Sequence, residues 1–177
     1  MVLSVDRKGW RDVAAELFRN ILVPVDFSAC SNEALRVALQ MARIFGSALS
    51  VLHVIDSSAV MAFNRLGLLA VPSDAVKQRR RLRHQARLKI RELLAALSTE
   101  GVAVERILAE GTPFVEIGKL ARQMRADLIV LGSYGGRSEN MEKIFFGATA
   151  EKVVRTAGCA VLTVPLPTKK VRNDLVL

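Results

Sequence analysis

Aromatic residues and cysteines are both scarce in this chain: aromatics make up 5% of the 177 residues, and there are two cysteines. A core poor in aromatics must be aliphatic, as in parallel sheets packed between helices. Cys30 and Cys159 stand far apart, without a CxxC pair or a Cys/His cluster, which argues against a disulfide framework or a zinc site. We expect both cysteines to be small buried residues.

Long apolar runs are missing as well. The longest, Val102–Ala109, is interrupted by Glu105 and Arg106, so we predict no membrane span. Charged residues between Asp6 and Asp12 break up the N-terminus before the apolar core of a signal peptide can form. We therefore predict a cytoplasmic protein.

Several catalytic and cofactor motifs are absent. The sequence has no GxxxxGK(S/T) phosphate loop, no GxGxxG after the first predicted strand and no GxSxG nucleophile motif. No nucleophile, base and acid can be assembled, and we expect His53 and His84 to be structural. Enzymatic activity is therefore disfavoured.

What the sequence does contain is a regular alternation of apolar strands and amphipathic helices. This order predicts an α/β fold: an open, parallel, Rossmann-like sheet of five strands with right-handed crossovers and helices on both faces. We assign residues 1–19 to an N-terminal extension, 20–167 to a single domain and 168–177 to a tail. The predicted strands are Asn20–Asp26, Ala48–Ile55, Val102–Ala109, Asp127–Gly132 and Ala160–Val164. The predicted helices start after Ser28 or Ser31 and end at Gly46, run from Ser73 to about Glu100, from Pro113 to about Arg125, and from about Gly147 to Thr156.

Two strand ends carry residues suited to a ligand. In open parallel sheets, ligands bind beyond the carboxyl ends of the strands, where the strand order reverses. Asp26 follows the first strand and Gly132 ends the fourth, so the two define one crevice if those strands are neighbours. The Asp26 carboxylate can accept hydrogen bonds from sugar hydroxyls or an adenine amino group, or it can cap the next helix. Position alone does not decide between these roles.

The segment from Gly132 to Gly147 reads GSYGGRSENMEKIFFG and lies between a predicted strand and a predicted helix. Glycines let backbone N–H groups approach a phosphate closely, and a helix N-terminus favours negative charge. Thr149 offers a hydroxyl and Arg137 a positive charge. A flexible glycine-rich turn without a ligand is the alternative.

Three segments together resemble the universal stress protein family: VPVDFS at Val23–Ser28, LHVID at Leu52–Asp56, and TAEKVVRTAGCAVLTVP from Thr149. The resemblance extends over about Asn20 to Pro165. It implies a strand order of 3-2-1-4-5, binding of ATP or AMP in one branch, with Mg²⁺ as a candidate counter-ion, and homodimers paired through the last strand, Ala160–Val164. By the resemblance, the positions of Pro24, Asp26 and Val54 hold the nucleoside, and those of Leu131, Gly132, Gly135, Gly147, Ala148 and Thr149 surround ribose and phosphates. We add Val25, next to Asp26, and Arg137, for its charge, to the candidate binding residues.

The residues that the resemblance places around the phosphates depart from the family pattern in two ways. The family has G-x2-G-x9-G-(S/T), whereas eleven residues separate Gly135 from Gly147 here. If Gly136 is the matching glycine instead, the spacing is ten and the first interval is also longer by one. The small hydroxyl residue of the pattern is replaced by Ala148, and Thr149 comes one position late. Loss of one hydroxyl-to-phosphate hydrogen bond costs about 1 to 3 kcal/mol.

A strongly basic segment, Lys77 to Arg91, holds eight lysines and arginines in fifteen residues and no acid. We interpret it as a solvated helix face or a surface for a protein partner, and not as a sequence-specific nucleic-acid reader, because no aromatic residue interleaves for base stacking.

Two functional hypotheses follow. The first is a nucleotide-binding regulatory protein of the stress response, which binds ATP or AMP and signals to an unknown protein partner. The second is a dimeric interaction module of the same family that binds no nucleotide. Enzymatic activity is disfavoured but left open, at most as slow ATP hydrolysis with a role for Asp26.

Overall fold

A computed structural model of the protein describes residues 17–57, 73–134 and 146–166. The tail 168–177 and most of the expected N-terminal extension lie outside these ranges. The elements, in chain order, are β1 (Asn20–Pro24), α1 (Ala29–Phe45), β2 (Ala48–Asp56), α2 (Ser73–Ala95), β3 (Val104–Gly111), α3 (Pro113–Gln123), β4 (Leu128–Gly132), α4 (Ala148–Thr156) and β5 (Ala160–Val164).

The strands form one parallel sheet of five strands in the order β3-β2-β1-β4-β5. Both the predicted α/β class and the predicted strand order are confirmed. β1 lies in the centre, and Ile21 is in register with Leu49 of β2 on one side and with Leu128 of β4 on the other. β2 and β3 are therefore added on one side of β1, and β4 and β5 on the other. This change of side places the switch point at the carboxyl ends of β1 and β4.

Two aliphatic cores lie on opposite faces of the sheet. Ile21 and Val23 pack with α1 and with Ile90 of α2, whereas Leu22 packs with α3 and α4. Successive residues of a strand point to opposite faces, so a central strand covered by helices on both faces reads as a continuous apolar run. In the part of the chain that the structure describes, no helix is both long and apolar enough to cross a bilayer.

Local signals set most helix ends. The Ser28 hydroxyl accepts a hydrogen bond from the Ser31 N–H at 3.2 Å and caps α1, which ends at Gly46 in the left-handed conformation (φ 68°). Thr112 precedes α3, and Pro113 occupies its first turn, as predicted.

Some predicted boundaries are wrong by several residues. α2 ends at Ala95, before the predicted end near Glu100, because the Leu97 N–H bonds to the Leu94 carbonyl three residues back and tightens the chain into a turn. β3 begins at Val104, after the predicted Val102, whose N–H is used by the same connection.

Candidate functional site

The turn after β1 presents Asp26 at the switch point. Its Oδ1 accepts a hydrogen bond from the Ser28 N–H at 3.0 Å, and its own N–H donates to the Ser31 hydroxyl at 3.3 Å. The side chain is exposed. One carboxylate oxygen therefore organises the turn that leads into α1, while Oδ2 makes no hydrogen bond to any residue that the structure describes. Both roles considered for Asp26 are compatible with this geometry.

Phe27, the next residue of this turn, itself adopts the left-handed backbone conformation, with φ of 65°. Such a backbone costs a residue with a Cβ about 1 to 2 kcal/mol, so packing must maintain it. The Phe27 ring lies 4.5 Å from the His53 ring, centroid to centroid, and the Lys89 ammonium of α2 lies 5.5 Å from the Phe27 centroid. His53 in turn donates from Nδ1 to the Val25 carbonyl at 2.7 Å. The prediction of a structural His53 is confirmed, whereas His84 is exposed on α2.

Gly132 brings the end of β4 against the first turn of α1. A Cβ at this position would lie 2.9 Å from both the Cys30 carbonyl carbon and the Ser31 backbone nitrogen. Only glycine permits this approach without moving one of the two backbones. The structure thus gives Gly132 a packing role, in addition to the ligand role that the sequence suggested.

The start of α4 meets β4 at the same point. The Gly147 N–H donates to the Ser133 carbonyl at 2.8 Å, and Gly147 is the residue that precedes the first turn of α4. No side chain caps this helix, and Ala148 and Thr149 are exposed in its first turn. Two helix N-termini, those of α1 and α4, therefore converge on the end of β4, where their partial positive charges favour an anion.

The other predicted site residues have unequal roles. Val25 and Leu131 are buried, each 4% exposed, so they can offer a ligand only backbone atoms. Pro24 and Val54 are half-buried, and Val54 packs on the α3 and α4 face. Gly135 and Arg137 lie outside the described residues.

Two buried polar groups lie beside this point, the Cys30 thiol and the Ser133 hydroxyl. The Cys30 thiol donates to the Val164 carbonyl at 3.1 Å and lies 3.8 Å from the buried Ser133 hydroxyl, so its expected role as a buried residue is confirmed. The one feature of the sequence that could have pointed to Ser133 as a site residue is its position directly after Gly132. Cys159 was also expected to be buried, but the structure leaves it half-buried. Its partial burial raises the pKa of its thiol, as does the nearby Asp127 carboxylate.

The arrangement suits an adenine nucleotide in physical terms. The outward oxygen of Asp26 is an acceptor for hydroxyl or amino groups, and the first turn of α4 offers backbone N–H groups to a phosphate. α1 carries no acidic residue in its first turn, and Glu151 in the first turn of α4 is exposed and paired with Arg155 at 3.6 Å. Among the described residues, no group of three or more His, Cys, Asp or Glu side chains is placed so that it could bind a metal ion.

Three solved structures share this fold at different levels of similarity. Hypothetical protein MJ0577 of Methanocaldococcus jannaschii superimposes with a TM-score of 0.70 at 26% identity, over 86% of this chain and 99% of that one. A universal stress protein from Archaeoglobus fulgidus in complex with dAMP (TM-score 0.55, 22% identity, 84% and 98% covered) shows the fold alone. The same holds for a universal stress protein in complex with cAMP (TM-score 0.54, 19% identity, 84% and 98% covered).

Sequence comparisons establish the family. The chain is 30% identical over 154 residues to Universal stress protein MJ0531 of Methanocaldococcus jannaschii, covering 87% of this chain and 86% of that protein. It is 32% identical over 149 residues to Universal stress protein YxiE of Bacillus subtilis, covering 84% and 99%. The model of the universal stress protein family matches residues 17–165. This chain belongs to the universal stress protein family.

Proposed function

We propose that the protein is a cytoplasmic regulatory protein that binds ATP or AMP at the crevice between the carboxyl ends of β1 and β4. The observation that carries the proposal is the convergence of two helix N-termini on Gly132, beside the outward carboxylate oxygen of Asp26. The two neighbours of the same fold that were solved with dAMP and cAMP support an adenine nucleotide over other anions. Mg²⁺, if bound, would be held mainly by the phosphate oxygens.

Titration calorimetry tests this function directly. We expect dissociation constants of about 1 μM or tighter for ATP or AMP, and weaker binding of GTP, because a guanine carbonyl would face the Asp26 carboxylate where adenine presents an amino group. Mass spectrometry of the gently purified protein should detect the co-purifying nucleotide. Absence of heat with all three nucleotides at millimolar concentration would favour an interaction module that binds no nucleotide.

Replacing Ala148 with serine should strengthen ATP binding. The substitution restores the hydroxyl of the family pattern at the first residue of α4, where it can make a charge-assisted hydrogen bond to a phosphate. We expect ATP affinity to rise about tenfold, equivalent to about 1.4 kcal/mol, and AMP affinity to change less because its single phosphate ends short of this position. Calorimetry with both nucleotides measures the difference.

Arg137 provides the control for this substitution. If the longer loop places its guanidinium at the phosphates, Ala148→Ser would have no effect and Arg137→Ala would weaken ATP more than AMP. If neither variant distinguishes ATP from AMP, the segment from Gly132 to Gly147 does not hold the phosphates.

A homodimer paired through β5 is the second part of the proposal. β5 is an edge strand, hydrogen-bonded to β4 alone within the sheet. The Ser133 N–H donates to the Val164 carbonyl at 3.0 Å, so Val164 and Leu162 direct their backbone groups to β4. Because backbone direction alternates along a strand, those of Val161 and Thr163 point to the open edge, where a second copy can pair with them.

Val161→Pro should therefore dissociate the dimer without unfolding the protein, because proline is tolerated where the missing N–H would face outward from an edge strand. Light scattering should show the dimer mass for the parent chain and half that mass for the variant, with similar melting curves. A parent chain that is monomeric at roughly tens of micromolar would contradict the interface.

A further inference from the structure

A straight row of exposed basic side chains runs along the outer face of α2. Its members are spaced alternately three and four residues apart, which places them on one line of a helix surface. The row spans fourteen residue steps, or about 21 Å at the helical rise. All five side chains are exposed. The basic row consists of Lys77, Arg80, His84, Arg87 and Arg91.

Other side chains of α2 make the contacts that hold the helix in place. Ala86 and Ile90 are buried against the sheet at 5% and 2% exposure. Arg79 and Arg83 both form ion pairs with Glu110 of β3, the latter at 2.8 Å. The basic row lies away from these residues, and no acidic side chain among the described residues pairs with it. Its charges are therefore not needed for the fold.

We propose that the basic row binds the phosphodiester backbone of a nucleic-acid duplex without reading its sequence. A duplex carries one negative charge per about 1.7 Å of its axis, so a rigid line of basic side chains about 21 Å long faces many phosphates at once. Arginine, which supplies three members of the row, matches phosphate oxygens with its planar fork of donors. The chain's formal net charge of +9 adds a favourable long-range attraction.

Other occupants fit the row less well. A single strand is normally held by stacking on aromatic side chains, and the segment from Lys77 to Arg91 contains none. A protein interface is normally anchored by buried apolar or aromatic groups, and the row has no such anchor. Insertion into a membrane surface requires a broad exposed apolar helix face. α2 buries Ala86 and Ile90 against the sheet, and among its described side chains Leu82, at 43%, is the one large apolar group that is exposed.

Two charge-matched variants test the proposal. The row variant combines Arg80→Gln, Arg87→Gln and Arg91→Gln, and the control combines Lys119→Gln, Arg122→Gln and Arg155→Gln on the helices of the opposite face. Each lowers the formal net charge from +9 to +6. Fluorescence anisotropy with two short DNA duplexes of unrelated sequence, measured between about 50 and 200 mM salt, gives affinity and salt dependence.

We expect the parent chain and the control to bind both duplexes alike, with affinity falling steeply as salt rises. The row variant should bind about a hundredfold more weakly at the lowest salt. Its plot of log K against log salt should be shallower by about 2.7, or about 0.9 for each phosphate that the protein no longer neutralises. Each single substitution should produce about one third of that slope change. Asp26→Ala should leave duplex binding unchanged.

Four results would overturn the proposal: equal weakening in the two triple variants, a preference for one sequence, no binding at the lowest salt, or binding of phosphatidylserine vesicles without binding of duplex. Circular dichroism of each variant establishes that it is folded before binding is measured.

Discussion

Gly132→Ala should lower the free energy of unfolding by about 1 to 3 kcal/mol, the usual cost of overpacking a closely packed position. The added methyl group would lie 2.9 Å from two backbone atoms of α1, at Cys30 and Ser31, and neither can swing away as the end of a side chain can. Either β4 or the first turn of α1 must shift. Urea unfolding followed by circular dichroism measures the decrease, which should appear as a lower midpoint at an unchanged m-value.

Two other glycines provide matched controls. A Cβ at Gly158 would meet no atom within 4 Å, and one at Gly118 in α3 would only approach the flexible end of Arg122 at 3.7 Å. Gly158→Ala should be nearly neutral, and Gly118→Ala should stabilise the protein by up to about 1 kcal/mol because alanine favours the helix. If Gly132→Ala lowers the free energy of unfolding no more than Gly158→Ala does, β4 and α1 do not approach as closely as described. Nucleotide binding should also weaken in Gly132→Ala, because the shift displaces both helix N-termini from the proposed phosphate position.

Asp26→Ala should weaken ATP and AMP binding by the same factor, about ten- to a hundredfold. The factor corresponds to one hydrogen bond to a charged group, about 1.5 to 3 kcal/mol. Both nucleotides should be affected alike because the carboxylate acts on the nucleoside they share. Calorimetry with each nucleotide measures the two factors.

The structure adds a control that the sequence did not suggest. Because Asp26 Oδ1 also accepts the Ser28 N–H at 3.0 Å, the alanine substitution removes a hydrogen bond of the turn as well as one to the ligand. Asp26→Asn keeps an acceptor for Ser28 but replaces the outward oxygen with an amide group, which is no acceptor. It should unfold at the parent's urea concentration and still bind nucleotide more weakly. An asparagine variant with full affinity would show that Asp26 acts only through the turn.

Much of the candidate site was predictable because its residues stand at strand ends and helix starts, which apolar patterns mark. Asp26 and Gly132 were located in this way, and the structure brings them to one switch point. Their detailed roles were not predictable. That Gly132 touches α1 depends on how separate elements pack together. That Asp26 uses one oxygen to bond the Ser28 N–H depends on the exact geometry of the turn. Which basic residues of α2 are left for the basic row was not predictable either, because Arg79 and Arg83 pair with Glu110 of a distant strand.

The number, order and kind of the helices and strands follow from the sequence alone. A buried strand, a capping serine at Ser28, a helix-ending Gly46 and the Thr112–Pro113 start are each encoded within a few neighbouring residues, so local physics suffices to identify them. Strand order came from the family resemblance, since the apolar pattern of a buried strand does not say which strand lies beside it. Three features follow from tertiary contacts instead: the helix N-termini that meet at Gly132, the pairing of Arg79 and Arg83 with Glu110, and the exposure of the basic row. These interactions join residues far apart in the chain, and their energies depend on distances that topology sets.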